Sequence, residues 1–380
     1  MDMISHIRLR DVVVSSKTRW LFLEVHSQSG LVGFGEASLQ GREALVRQAG
    51  DRFGPSLSGM AAKPLDQVWQ CETLAEATFL SALDQALHDI DARRNGMRLA
   101  DRLGRTRRER IPLYANINRR TIDRSPSGFA ASARLALAAG FRAIKLAPFD
   151  EVDDDARRQG RVAEAMRPGL RRVAAVAEIA GDTSELMVDC HWRFDEASAF
   201  RLVDAAREFG VRWLECPLPE TEETIPAIRR LRSASNEAGM RLAGCEELVG
   251  VQQNRVFAEA GAYDVMMPDV KYAGGVAEMM RLADLFERCG VAFSPHNPSG
   301  PISHAASLHV SAVVRSFDRL EVQFDESDLF WTLAGSELPR FEGGSSPLPD
   351  GPGLGVTLTT DSTATSRGVA AEWSLSQVTP

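Results

Sequence analysis

The chain has 380 residues, 44% of them apolar and 25% charged, a composition that suits a folded protein and excludes a disordered one. Its net charge of −8, with no basic run and no basic–aromatic interleaving, excludes a nucleic-acid footprint, and no apolar window approaches the length of a membrane span. Five cysteines without CxxC spacing, mostly inside apolar runs, read as reduced thiols; together with an N-terminus (MDMISHIRLRDVVV) that lacks a signal pattern, they point to a cytoplasmic protein.

From Ile4 to Ala37 apolar and polar residues alternate in three runs, which predicts a small antiparallel sheet. Between residues 42 and 103 the period becomes helical, so residues 1–110 form an α+β unit of ordinary domain size. A different rhythm starts at IPLYANI (111–117). It continues through FRAIKLAPF, LMVDCHW, VRWLE, RLAGCE, DVMMPD, VAFSPH and RLEVQF, with a helical run between each pair. Eight strands and seven helices in strict alternation over 111–325 predict an α/β fold, a (β/α)7β barrel of the TIM type. An open doubly wound sheet is disfavoured, because no glycine-rich phosphate loop follows the first strand. Residues 326–380 are irregular, rich in Gly, Pro and Ser, and end in a polar tail.

Several of these strands end in polar residues, and strand C-termini are where a parallel barrel gathers its chemistry. Asp189 and His191 lie two apart in MVDCHWRF and so share a face; Glu215, Glu246 and His296 end later strands. A single acid at a strand end is most simply solvated or a helix cap, but Asp189, Glu215 and Glu246 in consecutive units suit a divalent cation. Hard oxygen donors favour Mg²⁺, with Mn²⁺ next. A zinc site is weaker, since Cys190, Cys216 and Cys245 neighbour the acids and would alternate to the helix-facing side. Glu247 rivals Glu246 by the same uncertainty in register.

Asp269 ends the strand before His296, so the pair can form a dyad in which the carboxylate orients the imidazole as a base. His191 reads as a second acid/base group or as an extra ligand; His6, His26, His88, His304 and His309 read as structural. Lys145, within an apolar strand, needs an anionic partner, and a substrate carboxylate or oxyanion is the expected one. Lys271, past its strand end, is expected in solvent.

Taken in order, Lys145, Asp189, Glu215, Glu246, Asp269 and His296, with the PDVxxxGG segment from Pro268 to Gly275, resemble the enolase superfamily in its mandelate racemase group. The resemblance covers nearly the whole chain. It implies that residues 1–110 cap a modified barrel, that 326–380 pack back on the cap, and that the protein is a homo-oligomer acting on a small carboxylic acid. It also implies a reaction: Mg²⁺ binds the substrate carboxylate, a base removes the α-proton, and an enediolate forms.

One departure bears on the subclass. Lys145-Leu146-Ala147 stands where the family often has Lys-x-Lys, so the second base of a racemase is missing. Asp189-Cys190-His191 is instead similar to the acid-sugar dehydratases. That likeness implies His296, oriented by Asp269, as α-proton base, His191 as general acid for the 3-hydroxyl, Lys145 as carboxylate contact, and a 2-keto-3-deoxy acid as product. Lys17 and Arg19 in the cap loop, Asn116, Asn118 and Arg119 after the first barrel strand, and Glu321 on the last, protonated so as to donate to the substrate carboxylate, are the candidate substrate contacts. The alternatives are a racemase, epimerase or lactone cycloisomerase, and a non-catalytic binding protein on the same scaffold.

Overall fold

The computed structural model describes residues 2–65, 70–359 and 366–374. The chain opens with antiparallel strands β1 (Ile4–Val13), β2 (Arg19–Ser27) and β3 (Val32–Glu36), followed by α1 (Glu43–Leu57), α2 (Leu74–Arg94) and the short α3 (Leu99–Leu103). Helix α2 is buried along almost its whole length, which explains its lack of a polar face. It lies so close to β3 that a Cβ at Gly33 or Gly35 would fall 2.0 or 1.9 Å from the carbonyl oxygens of Ala86 and Ala82.

The alternation expected from residue 111 is present. Strands β4 (Arg110–Asn116), β5 (Ala143–Leu146), β6 (Glu185–Asp189), β7 (Val211–Glu215), β8 (Arg241–Gly244), β9 (Val265–Met266), β10 (Ala292–Phe293) and β11 (Leu320–Gln323) form one parallel sheet in the order β10-β9-β8-β7-β6-β5-β4-β11. A parallel bridge between Phe293 and Phe317 joins its two ends and closes the barrel. The intervening helices are α4 (Pro126–Ala138), α5 (Asp154–Arg158) with α6 (Val162–Ala180), α7 (Glu196–Glu208), α8 (Ile225–Glu237), α9 (Gly250–Glu259), α10 (Gly275–Cys289) and α11 (Pro301–Val313). Among the described residues no helix is long and apolar enough to cross a membrane.

Strand period sorts the side chains. Tyr114, Ala143, Met187, Trp213, Ala243 and Val265 form one small cluster, while their neighbours Leu113, Ile144, Val188, Leu214 and Leu242 belong to the large core under the helices. Two residues further along the inner face come Asn116, Lys145, Asp189 and Glu215. The barrel interior therefore turns from apolar to ionisable within one strand repeat, at the C-terminal rim.

The N-terminal unit is bonded to this rim at two helix starts. Glu36 accepts the backbone N–H groups of Gly300 (2.8 Å) and Ser303 (3.0 Å) at the head of α11. Ser81 and Asp84 of α2 accept those of Gly274 (3.0 Å) and Ala277 (3.1 Å) at the head of α10. Acids and hydroxyls at helix N-termini satisfy free N–H groups and the helix dipole. Both anchors flank the segments that carry Asp269 and His296.

After β11 come α12 (Leu329–Thr332), β12 (Ser345–Pro347), which pairs with β4, and β13 (Ser366–Ser374). The expected polar tail is in part this last strand, which pairs antiparallel with β1 and makes the N-terminal sheet four-stranded. Leu354 also donates its N–H to Asp89 of α2 at 2.8 Å.

Candidate active site

Asp189, Glu215 and Glu246 are all buried at the ends of consecutive barrel strands. Asp189 and Glu215 arrive by plain alternation. Glu246 does not: with Ala243 inside, Cys245 is next in phase, but its left-handed backbone (φ 71°) breaks the alternation, packs its thiol in the core, and brings in the following residue. Glu246 is thus enclosed and Glu247 exposed. Cys216, also left-handed (φ 45°), departs from the helix-facing placement expected of it, since its Sγ comes within 3.8 Å of Glu246.

Each acid is met by a polar neighbour. Glu215 accepts from the Trp213 indole at 2.9 Å and from Lys145. His191 Nε2 is 2.8 Å from Asp189, and His296 Nε2 is 3.7 Å from Glu246. Burial raises the Glu246 carboxyl, and Asp189 and Glu215 push it further. Burial, opposed by Lys145, also raises Glu215, to about 8. Asp189 is held down at about 2, because His191 and Lys145 outweigh its burial. Among the described residues no three His, Cys, Asp or Glu side chains already converge on one point. The donor chemistry nevertheless fits a divalent cation: three buried oxygen donors, two of them raised in part by mutual repulsion, form the environment that such an ion relieves.

The expected dyad is formed. His296 Nδ1 lies 2.8 Å from Asp269 Oδ2, so Nδ1 carries the proton and Nε2 faces the acids. Lys271, expected in solvent, is 1% exposed: its chain turns back at Asp269, and its ammonium sits 2.6 Å from the same Oδ2 and against Ser299. The signal was available, since residues two apart beyond a strand end can share a side, as Asp189 and His191 do. Tyr272, also missed, lies beside His296 with ring centroids 6.2 Å apart and the rings tilted by 38°. His191 and Trp192 have successive positive φ values (48° and 56°), a turn L-residues rarely adopt, and one that brings the imidazole back over Asp189.

Other expectations need correction. Lys145 is 1% exposed and its ammonium meets Glu215, Glu321 (2.9 Å) and Tyr114 (3.3 Å), so its anionic partners belong to the protein. Glu321 was expected as a protonated donor to the substrate. Instead Lys145 and His296 overcome its burial and lower its carboxyl, and its oxygens accept from Asn116 (2.7 Å) and the N–H of Asn297 (3.1 Å). Asn116 is committed there, and Asn118 accepts from Arg124 at 2.7 Å. Arg19 pairs with Asp11 (3.1 Å) across the N-terminal sheet, and Lys17 is exposed on the turn before it. Arg119 stands 3.5 Å from Glu326, and its charge is felt at the Tyr272 hydroxyl.

Residues 128–362 match the family model described as enolase C-terminal domain-like, and residues 9–104 match the mandelate racemase / muconate lactonizing enzyme N-terminal domain. The chain belongs to the enolase superfamily, in its mandelate racemase group. It is 32% identical over 287 residues to a D-gluconate dehydratase of Thermoproteus tenax, covering 74% of this chain and 54% of that protein. It is 28% identical over 357 residues to a D-galactonate dehydratase of Ralstonia nicotianae, covering 90% and 89%. In fold it resembles a crystal structure titled a putative dehydratase from Salmonella enterica serovar Typhimurium (TM-score 0.82, 22% identity, covering 94% and 96%).

Proposed function

We infer that this protein is a hydro-lyase that converts an aldonic acid to its 2-keto-3-deoxy acid with the help of a divalent cation, Mg²⁺ in the first instance. The observation that carries the reading is the pair of histidines bordering one set of carboxylates, His296 beside Glu246 and His191 on Asp189. Removing water from a 2,3-dihydroxy acid needs a base at C2 and an acid at the 3-hydroxyl, and the site offers one imidazole for each. The relatives named as D-gluconate and D-galactonate dehydratases support the same reaction class.

Asp189, Glu215 and Glu246 would hold the cation. When bound, it would take the substrate carboxylate and offset the charge that builds there as the α-proton leaves. His296 Nε2 takes the C2 proton, while Asp269 holds the ring in the tautomer that leaves Nε2 free. His191 gives its proton to the departing 3-hydroxyl, which leaves as water. The resulting enol then ketonises. Lys145 acts from behind, holding Glu215 and Glu321 rather than touching the acid. The chain has Ala147, not a second lysine, two residues beyond Lys145, which tells against two-base racemisation.

The test is a panel of aldonic and aldaric acids incubated with protein and Mg²⁺, with 2-keto acid measured by a carbonyl reagent. Product that disappears on chelation and returns with Mg²⁺ supports the reading. Exchange of the α-proton in D2O without any keto acid would replace it with an isomerase.

A further inference from the structure

Glu220 takes part in no step of the mechanism, yet it joins the ends of three barrel strands. From the loop after β7, its Oε1 accepts the Cys245 N–H beyond β8 at 2.6 Å and, from the foot of β9, the Tyr263 hydroxyl at 2.9 Å. The Trp192 side chain, beyond β6, donates to the same carboxylate. Cys216 Sγ lies 3.9 Å from Oε1 and 3.8 Å from Glu246, between the two acids. The end of β8 is bare where this contact is made: a Cβ at Gly244 would fall 2.3 Å from Oε1 and 2.7 Å from the Tyr263 ring.

These partners share an unusual backbone. Among the described residues five that are not glycine have positive φ, and Glu220 touches three of them: Trp192 (56°), Cys216 (45°) and Cys245 (71°). L-residues stay in the left-handed region only where surrounding contacts hold them there. Cys245 has the largest consequence. Ala243 faces the barrel interior, so a β8 that simply continued would turn the Cys245 thiol inward and Glu246 away. Instead the Glu220 side chain takes the N–H that a continuing strand gives to its neighbour. The thiol packs in the core under the helices, and Glu246 enters the site.

We propose that Glu220 is a positioning residue that selects Glu246, rather than Glu247, as the third cation ligand. It acts through the Cys245 backbone and not by contact with the cation or the substrate. The ligand role of Glu246 rests on the cation reading; the hold on the Cys245 backbone does not.

The experiment compares three variants in two arms. Glu220→Leu removes both oxygens, and Glu220→Asp keeps the charge but draws it back by one methylene. Glu220→Gln keeps an acceptor oxygen for Cys245 and Tyr263. In the first arm, labelling by iodoacetamide is mapped to each cysteine by mass spectrometry without any metal. Cys190, as fully buried as Cys245, reports unfolding in the same sample. Relative to Cys190, labelling of Cys245 is expected to rise about tenfold in the Leu and Asp variants, one hydrogen bond's worth, and to stay at the wild-type level in the Gln variant. If the Leu variant unfolds, both cysteines label and the Asp variant decides. Protection of Cys245 in both, or equal gains at Cys190 and Cys245 in both, overturns the proposal. In the second arm, Mn²⁺ is titrated by EPR without substrate. Glu220→Leu should weaken binding about 10–100-fold, as loss of a group that orients a metal ligand does, and Glu220→Gln should bind as the wild type does. Unchanged binding in a Leu variant whose Cys245 has become reactive overturns the selection of Glu246. If the wild type binds no Mn²⁺, the cation reading fails and the labelling arm alone decides the hold on the backbone.

Discussion

Replacing Asp269 and replacing His296 with asparagine should both cost turnover, the second completely, and should have different effects on stability. Asp269 Oδ2 receives His296 Nδ1 at 2.8 Å and the Lys271 ammonium at 2.6 Å, and Oδ1 receives the Lys271 N–H at 2.7 Å. Lys271 is almost completely buried. Asp269→Asn leaves that ammonium without its anion, a loss of about 3–5 kcal/mol for a broken buried pair. It also removes the group that orients the base, so kcat should fall by roughly 10²–10⁴-fold. His296→Asn keeps the Lys271–Asp269 pair intact, so it should abolish turnover and shift unfolding by less than ~1 kcal/mol. The double variant Asp269→Asn/Lys271→Met removes both charges and should regain most of the lost stability without regaining activity. Urea midpoints and steady-state rates on the four proteins decide the matter. Wild-type stability in Asp269→Asn would refute the buried pair, and wild-type turnover in His296→Asn would refute the base.

A methyl group at position 35 would drive into the carbonyl of Ala82, so Gly35→Ala should lower stability by about 1–3 kcal/mol in thermal or urea unfolding, with kcat affected only through loss of folded protein. His309 Nε2 donates to the Leu354 carbonyl at 3.1 Å and Nδ1 accepts from the Ala100 N–H at 3.3 Å, and burial lowers its pKa from 6.5 to about 4. Below pH 6.5 the unfolded chain therefore binds a proton that the folded one refuses. Stability is fully present above 6.5 and falls by ~3 kcal/mol as the pH drops to about 4. The difference between wild type and His309→Gln isolates this group from Asp89, whose carboxyl burial raises to about 6 and which loses stability as pH rises through the same window. A difference curve that stays flat from pH 7 to 4 would refute it.

What could be read in advance follows from strand period. Where a barrel strand alternates regularly, as through Met187 and Asp189 or Trp213 and Glu215, the inward acid is legible from its apolar neighbours. The dyad was legible for a similar reason, since Asp269 and His296 end adjacent strands. Legibility fails where the backbone leaves the regular state: the left-handed Cys245 decides between Glu246 and Glu247, and the turn after Asp269 buries Lys271. It fails again where the partner is distant in sequence. Nothing near Lys145 announces Glu321, 176 positions away, and nothing near Glu36 announces the head of α11. Strand β13 has a weak pattern of its own and exists because β1 offers it an edge.

The division of labour between two histidines is the central claim, and proton NMR of the aldonic acid that the wild type turns over, in D2O with Mg²⁺ and the His191→Asn variant, tests it most directly. With its base intact and its acid removed, this variant should exchange the C2 proton for deuterium and form no 2-keto-3-deoxy acid, while His296→Asn does neither. Keto acid formed by His191→Asn at the wild-type rate would contradict the account, as would loss of exchange in that variant while Mg²⁺ and substrate still bind.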